Sequence, residues 1–271
     1  MEWEVTPPIE PGAIEDVQAQ RDERRMAIDA VGISRLKLPI RIEDAGDIQH
    51  TVAEVRCAVE LPPERRGTHM SRFVALLADE QAPVSSSALP ALLAAMAERL
   101  EARAAEIEFV FPFFVRKQAP VSGVVSPMDY EVRLSARLWG GVTRTTTQVT
   151  VPVTSLCPCS KEISAYGAHN QRSHVNVSVD GTACGIGDLV ALVESEASAP
   201  LYGLLKRADE KQVTEQAYEN PKFVEDMVRD VALRLKARPG IGHFRVEVEN
   251  FESIHNHSAY AVIESAGSQH E

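Results

Sequence analysis

Tyr130-Glu-Val-Arg-Leu-Ser-Ala-Arg-Leu138 alternates apolar and polar side chains without a break. Successive side chains of an extended chain point to opposite faces. Tyr130, Val132, Leu134, Ala136 and Leu138 therefore share one face, and Glu131, Arg133, Ser135 and Arg137 the other. Upstream, Ile107, Phe109, Phe111, Phe113 and Val115 keep the same period. The two runs predict long antiparallel strands with one buried and one solvated side.

Working outward, Thr51, Ala53, Val55, Cys57 and Val59 predict an earlier strand. Between it and the phenylalanine-rich strand, Leu89, Leu92, Leu93, Met96 and Leu100 fall on one helical stripe. A helix is predicted over about 89–103, with Ser87 and Pro90 at its start. Downstream, Thr145, Thr147, Val149, Val151 and Val153 alternate, as do Val175, Val177 and Val179. A helix is placed from Asp188. A second is placed with Asn220 as N-cap and Pro221 in its first turn, striped by Val224, Met227, Val228, Val231 and Leu235 and ended by Pro239-Gly240. Phe244, Val246 and Val248 open another strand, and a last one covers about 257–263. Each half reads strand-strand, helix-helix, strand-strand. The fold class is α+β with antiparallel sheets, divided into an N-terminal arm (1–30) broken by Pro7, Pro8, Pro11 and Gly12, a first unit (31–140) and a second unit (141–271).

The 271 residues are 44% hydrophobic and 25% charged, enough to fill a core. With 28 basic against 39 acidic residues the net charge is −11, which argues against nucleic-acid and anionic-membrane partners but leaves room for an anionic small molecule at a local basic patch. No N-terminal signal-like run and no stretch of roughly 18 apolar residues is found. Four cysteines are too few for a disulfide scaffold in a chain this long, so a reducing cytoplasm is expected.

The groups able to do chemistry cluster late in the chain. Cys157 and Cys159 flank Pro158, which predicts an extended loop or strand edge with both thiols to one side, and His169 follows 12 positions after Cys157. A thiolate and an imidazole suit zinc or another borderline transition metal, although a Cys-x-Cys pair equally describes thiols that only pack. Cys57 and Cys184 have no partner in the sequence and read as core. His255 and His257, two apart beside Glu252, would share a face in a strand and could move protons near neutral pH; alone they also describe a solvated strand end. Glu225 reads as a surface charge or an i,i+4 partner of Arg229, and Glu210 as part of a solvated loop. Arg65-Arg-Gly-Thr-His-Met-Ser-Arg72 is a basic island that could dock a triphosphate or simply form a solvated turn.

Read together, Ser155-Leu-Cys-Pro-Cys-Ser-Lys-Glu-Ile-Ser164, Gly167-Ala-His-Asn-Gln-Arg-Ser173, Glu215-Gln-Ala-Tyr-Glu-Asn-Pro-Lys-Phe223, Glu252-Ser-Ile-His-Asn-His257 and, in the first half, Gly67-Thr-His-Met-Ser-Arg-Phe73 resemble the type IB GTP cyclohydrolase I family. The resemblance runs from about residue 16 to 264. It implies two tandem tunnelling-fold (ββααββ) units with helices packed on one face of the sheets, and a homotetramer with active sites at subunit interfaces. It also implies metal-dependent hydrolysis of GTP at C8, loss of formate, and rearrangement of the ribose to give 7,8-dihydroneopterin triphosphate, a precursor for folate, another pterin or a modified tRNA base. By position, Cys157, His169 and Glu210 would hold a divalent ion (zinc, manganese or ferrous iron), with Glu215 and Glu219 competing for the third place. Cys159 would not be a ligand. Glu225 would anchor the purine, and Glu252, His255 and His257 would line the reacting centre beside Cys157. Lys161, Arg172, His69 and Arg72 would be candidates for the triphosphate, some reaching in from a neighbouring chain. Two other readings stand beside it: a nitrile reductase of queuosine synthesis, using Cys157 covalently with NADPH, and a non-enzyme in which Cys157, Cys159 and His169 hold a structural zinc.

Overall fold

A computed structural model of the chain describes residues 16–79 and 82–265; the first 15 residues of the expected arm lie outside them. In chain order the elements are β1 (Ile28–Asp44), β2 (Asp47–Leu61), α1 (Met70–Asp79), α2 (Leu89–Arg99), β3 (Ala105–Gln118), β4 (Val125–Trp139), β5 (Val142–Leu156), α3 (Pro158–Ile163), β6 (Asn170–Asp180), α4 (Ile186–Glu196), β7 (Ala199–Pro200), α5 (Arg207–Glu219), α6 (Val224–Ala237), β8 (Phe244–Asn250) and β9 (Ala259–Glu264). The strands form one antiparallel sheet in the order β1-β2-β3-β4-β5-β6-β8-β9. The two-residue β7 pairs with Val153 and Thr154 of β5, beyond the last β4 pairing at Thr150.

The alternation read from the sequence is the burial pattern of the sheet. Val132, Leu134 and Ala136 of β4, Phe109, Phe111 and Phe113 of β3, and Val149, Val151 and Val153 of β5 are buried, while their neighbours are partly or fully exposed. These residues join the apolar stripes of α2, α4 and α6 in one continuous core. The six α-helices among the described residues thus leave the other sheet face polar.

Four expectations are corrected. The sequence reading placed no strand at β1, because its alternation breaks: the register shifts between Ile33 and Leu36, and Arg35 sits at φ 60°. Here Gly32 lets β1 approach β2 so closely that a Cβ would lie 2.0 Å from the Cys57 carbonyl oxygen. The helix over 89–103 stops at Arg99, since Glu101 takes a left-handed φ of 54°. The basic island does not end in a turn; its last three residues begin α1. Asn220 is the C-cap of α5, with its Nδ2 donating to the Ala197 carbonyl (2.8 Å), and α6 is capped by Phe223 instead.

Contacts between the segments before and after Gly140-Gly141 are specific and polar. Asp44, at the end of β1, accepts hydrogen bonds from the Ile186 and Gly187 N–H groups (2.8 and 2.9 Å) at the start of α4, whose own N-cap, Gly185, has no side chain to do this. Glu194 of α4 accepts from the Tyr130 hydroxyl (2.7 Å) and pairs with the buried Lys117; burial pulls the Lys117 ammonium below its ordinary range, against the opposing pull of Glu194. Asp44→Ala leaves two helix-terminal donors unpaired and is expected to lower unfolding stability by about 0.5–2 kcal/mol. A fall in the urea midpoint at unchanged m-value is the check, and an unchanged midpoint would deny the cap any weight.

Candidate active site

Cys157 follows the last residue of β5 and is the N-cap of α3; Pro158 supplies that helix's first residue, where a missing N–H costs nothing. The Cys157 sulfur accepts from the Ser160 N–H (3.4 Å). The Ser160 hydroxyl donates to the Cys157 carbonyl (3.1 Å) and accepts the His169 N–H (3.2 Å), while the Cys157 N–H donates to the His169 carbonyl (3.1 Å). Cys157 and His169 are therefore held side by side by backbone and by Ser160, a residue the spacing argument passed over. The extended Cys-x-Cys expected from the sequence is replaced by a helix start, with Cys157 half-buried and Cys159 exposed on α3. Beneath them Leu156, Ala199 and Ala217 form a small apolar cluster against which Ala168 and Val213 pack.

The His169 ring is fixed through Nδ1, which lies 3.0 Å from Gln171 Oε1 and 3.3 Å from the Ser253 hydroxyl. Nε2 makes no hydrogen bond among the described residues. Ser253 belongs to the loop between β8 and β9, so the segment Glu252 to His257 comes to the same place. That segment is not the start of a strand, as expected, but a run of bends. His255 and His257 nevertheless lie together, their exposed rings stacked with centroids 5.1 Å apart and planes 19° from parallel. The loop is anchored by the Phe251 N–H donating to the Arg172 carbonyl (3.0 Å) and by Phe251 meeting His174 edge to face at 4.8 Å. Burial, and then the nearby Arg172 charge, hold the His174 imidazole below its ordinary range.

The third side of the site is α5 and α6. Lys222 N–H donates to the Leu156 carbonyl (3.0 Å), drawing the turn between the two helices onto the end of β5. Lys161 Nζ donates to the Tyr218 carbonyl (2.5 Å) and lies 4.4 Å from the centre of the Tyr218 ring, so this triphosphate candidate is engaged at the C-terminal end of α5. Glu225 is exposed in the first turn of α6. Glu210 sits in the first turn of α5, a helix where a solvated loop was expected, and is exposed. Its neighbour Asp209 is fully buried and accepts from Val121 N–H (2.8 Å), Ser122 N–H (2.8 Å), the Ser122 hydroxyl (2.6 Å) and Lys206 N–H (2.9 Å). Burial works to raise the Asp209 carboxyl, but these donors outweigh it and hold the group well below the usual carboxylate range. The first turn of α5 is thus pinned to the β3–β4 loop.

Cys157, His169, Ser253 and the end of α5 are brought to one region; the basic island is not linked to them. Arg65 pairs with Glu101, Arg66 donates to Gln20, His69 meets Asp16 at 3.1 Å and Arg72 donates to the Arg99 carbonyl at 3.4 Å. Arg172 is exposed. Among the described residues of one chain, no three His, Cys, Asp or Glu side chains are grouped closely enough to hold a metal ion, so Glu210 does not join Cys157 and His169 in this arrangement. A cysteine and a histidine at backbone-paired positions, the imidazole hydrogen-bonded through Nδ1, are donor types that fit a borderline divalent ion.

All four thiols are free. Burial pushes Cys57 up to about 12 and Cys184 up to about 11. Alkylation of the folded protein near pH 8 is expected to modify Cys157 and Cys159 and to spare Cys57 and Cys184 until denaturant is added. Peptide mass mapping reads this directly, and early labelling of Cys57 would contradict the burial.

The architecture is that of a mixed α/β protein built on one large antiparallel sheet. Uricase from Arthrobacter globiformis superposes with a TM-score of 0.50 over 89% of this chain and 95% of that chain, at 10% identity, a likeness of fold alone. Residues 14–261 match the family model for type I GTP cyclohydrolase folE2. GTP cyclohydrolase FolE2 of Aromatoleum aromaticum is 55% identical over 255 residues, covering 93% of this chain and 94% of that protein. The protein of the same name from Nitrosococcus oceani is 56% identical over 254 residues, covering 93% and 95%. The chain belongs to the type I GTP cyclohydrolase folE2 family.

Proposed function

We infer that this chain is a GTP cyclohydrolase that converts GTP to 7,8-dihydroneopterin triphosphate with release of formate. The observation that carries the reading is the junction of Cys157 and His169 at the end of β5, within a chain related over 93% of its length to GTP cyclohydrolases. Cys157, His169 and Glu210 are the proposed metal ligands. A divalent ion bound there (zinc, manganese or ferrous iron) would lower the pKa of water to roughly 7. The chain's own groups do the rest. Glu225 receives the N–H edge of the guanine. Glu252 and the stacked His255 and His257 exchange protons with the opening imidazole ring and the leaving formyl group, each such transfer typically contributing about 10²–10⁴-fold.

The proposed site residues lie on an open surface of the single chain. Around them Ile163, Tyr166, Tyr218, Phe223 and Ile254 are exposed. A rim of this kind favours closure by another subunit. Membership of the family supports a homotetramer of chains, each made of two tandem tunnelling-fold units (31–140 and 141–271), with Lys161, Arg172, His69 and Arg72 as candidates for the triphosphate, some reaching in from a neighbouring chain. No helix among the described residues is long and apolar enough to cross a membrane, and four free thiols suit a reducing cytoplasm.

Incubating the metal-free protein with GTP and a panel of divalent ions, and measuring formate and dihydroneopterin triphosphate, tests the reading. Turnover restored by one or more ions is expected. No product with any ion, or consumption of NADPH with a nitrile substrate instead, would overturn it.

A further inference from the structure

Gln171, Ser155, Ser173 and Asn250 stand where the pattern of their strands calls for apolar residues. Ser155 extends the inward series Val149, Val151, Val153; Ser173 and Gln171 extend Val179, Val177, Val175; and Asn250 follows Val246 and Val248. All four are buried, both serines completely. Left unpaired, each would lose its water without a substitute partner, and each is paired to the next. Gln171 Nε2 donates to Ser155 Oγ (2.8 Å), Ser155 and Ser173 hydroxyls meet at 2.9 Å, and the Ser173 hydroxyl reaches Asn250 Oδ1 (2.7 Å). The sheet register sets the file, with Ser155 opposite Gln171 and Ser173 opposite Asn250.

Counting donors gives the file a direction. Asn250 Oδ1 can only accept, so the single Ser173 proton goes there. Ser173 must then accept from Ser155, and Ser155 accepts from the Gln171 amide. Gln171 Oε1 is left facing His169 Nδ1 at 3.0 Å. A carbonyl oxygen only accepts, so the ring proton of a neutral His169 belongs on Nδ1.

We propose that this buried file is a positioning device that holds the His169 imidazole in one orientation and one tautomer, with the proton on Nδ1 and Nε2 left bare as the metal-binding nitrogen. The proposal rests on the reading of His169 as a ligand, but the tautomer can be read without metal. The reverse sense, with both amides turned over, would place the proton on Nε2 and block it.

The test uses the full-length protein and its variants, each first shown by circular dichroism and melting to be folded. In metal-free wild type, long-range ¹H–¹⁵N correlation spectra of the imidazoles above neutral pH are expected to show His169 protonated at Nδ1; protonation at Nε2 overturns the proposal. Gln171→Met should mix the tautomers and weaken manganese or zinc binding, measured by chelator competition, about 10–100-fold. Gln171→Glu, which keeps an acceptor at Nδ1, should restore the single tautomer and most of the affinity. Equal affinities in wild type and the folded Gln171→Met also overturn it. If Gln171→Met does not fold, Ser155→Ala, which cuts the file one step further back, must lower metal affinity several-fold for the proposal to stand. His169→Ala separates the two claims: unchanged metal affinity there removes His169 from the ligand set, whatever the tautomer.

Discussion

Cys157→Ala is expected to abolish formate release and to strip the protein of metal while leaving it folded. The fold should survive because what fixes this corner is mostly backbone. The Cys157 N–H to His169 carbonyl bond, and the Ser160 hydroxyl bridge to the Cys157 carbonyl and the His169 N–H, do not involve the thiol. The sulfur's other contact is as acceptor for one N–H of the six-residue α3. Losing such a cap typically costs about 0.5–2 kcal/mol, a small fraction of a domain's stability. Loss of metal affinity should exceed the roughly 10–100-fold seen when only an outer partner of a ligand is removed. Cys157→Ser sharpens the test: a hydroxyl keeps the cap but is a poor ligand for a borderline ion, so it should melt like wild type and still lack metal. Elemental analysis after dialysis, with formate measured on the same samples, reads both quantities. Full activity in Cys157→Ala would take the thiol out of the chemistry.

The strands with unbroken period two were legible because each buries one face only, so that burial is written directly into the order of residues. Where that relation fails, so does the reading. β1 hides behind the irregularity at Arg35. α5 carries no apolar stripe: of its 13 residues only Asp209 and Ala217 are buried, and one of those is an acid held by backbone donors from a loop some 90 positions away in sequence. Asn220-Pro221 looks like the opening of a helix because the same residue types also suit the close of one. At the site, Cys157 and His169 are neighbours because the connection through α3 leaves β5 and enters β6 at paired positions. Ser160, Gln171 and Asp209 left no signal, since a serine, a glutamine or an aspartate acquires its role only from what the sheet sets opposite it.

The pinning of α5 bears on Glu210. Asp209 fixes the first turn of that helix to the β3–β4 loop, so the Glu210 backbone is held while its side chain stays exposed. As the proposed third ligand, Glu210 is expected to reach the ion from that fixed backbone by a change of side-chain rotamer.

Glu225→Ala is expected to weaken GTP binding without releasing metal. Glu225 lies in the first turn of α6, where the aligned peptide dipoles favour a negative charge and where no other residue is bonded to it among the described ones. Its two oxygens can accept both the N1–H and the N2–H of guanine. By comparison with bidentate base recognition, the loss should be about 1–3 kcal/mol, or roughly 5–150-fold in Kd. A general disturbance of the helix end would weaken all nucleotides alike, so the comparison with inosine triphosphate decides. Inosine lacks the N2 amino group, and wild type should prefer GTP over it, whereas Glu225→Ala should bind the two equally. Glu225→Gln keeps one acceptor and should fall between. If the alanine variant binds GTP as tightly as wild type, or keeps its preference over inosine triphosphate, the purine is held by another residue and the place of Glu225 in the site is lost.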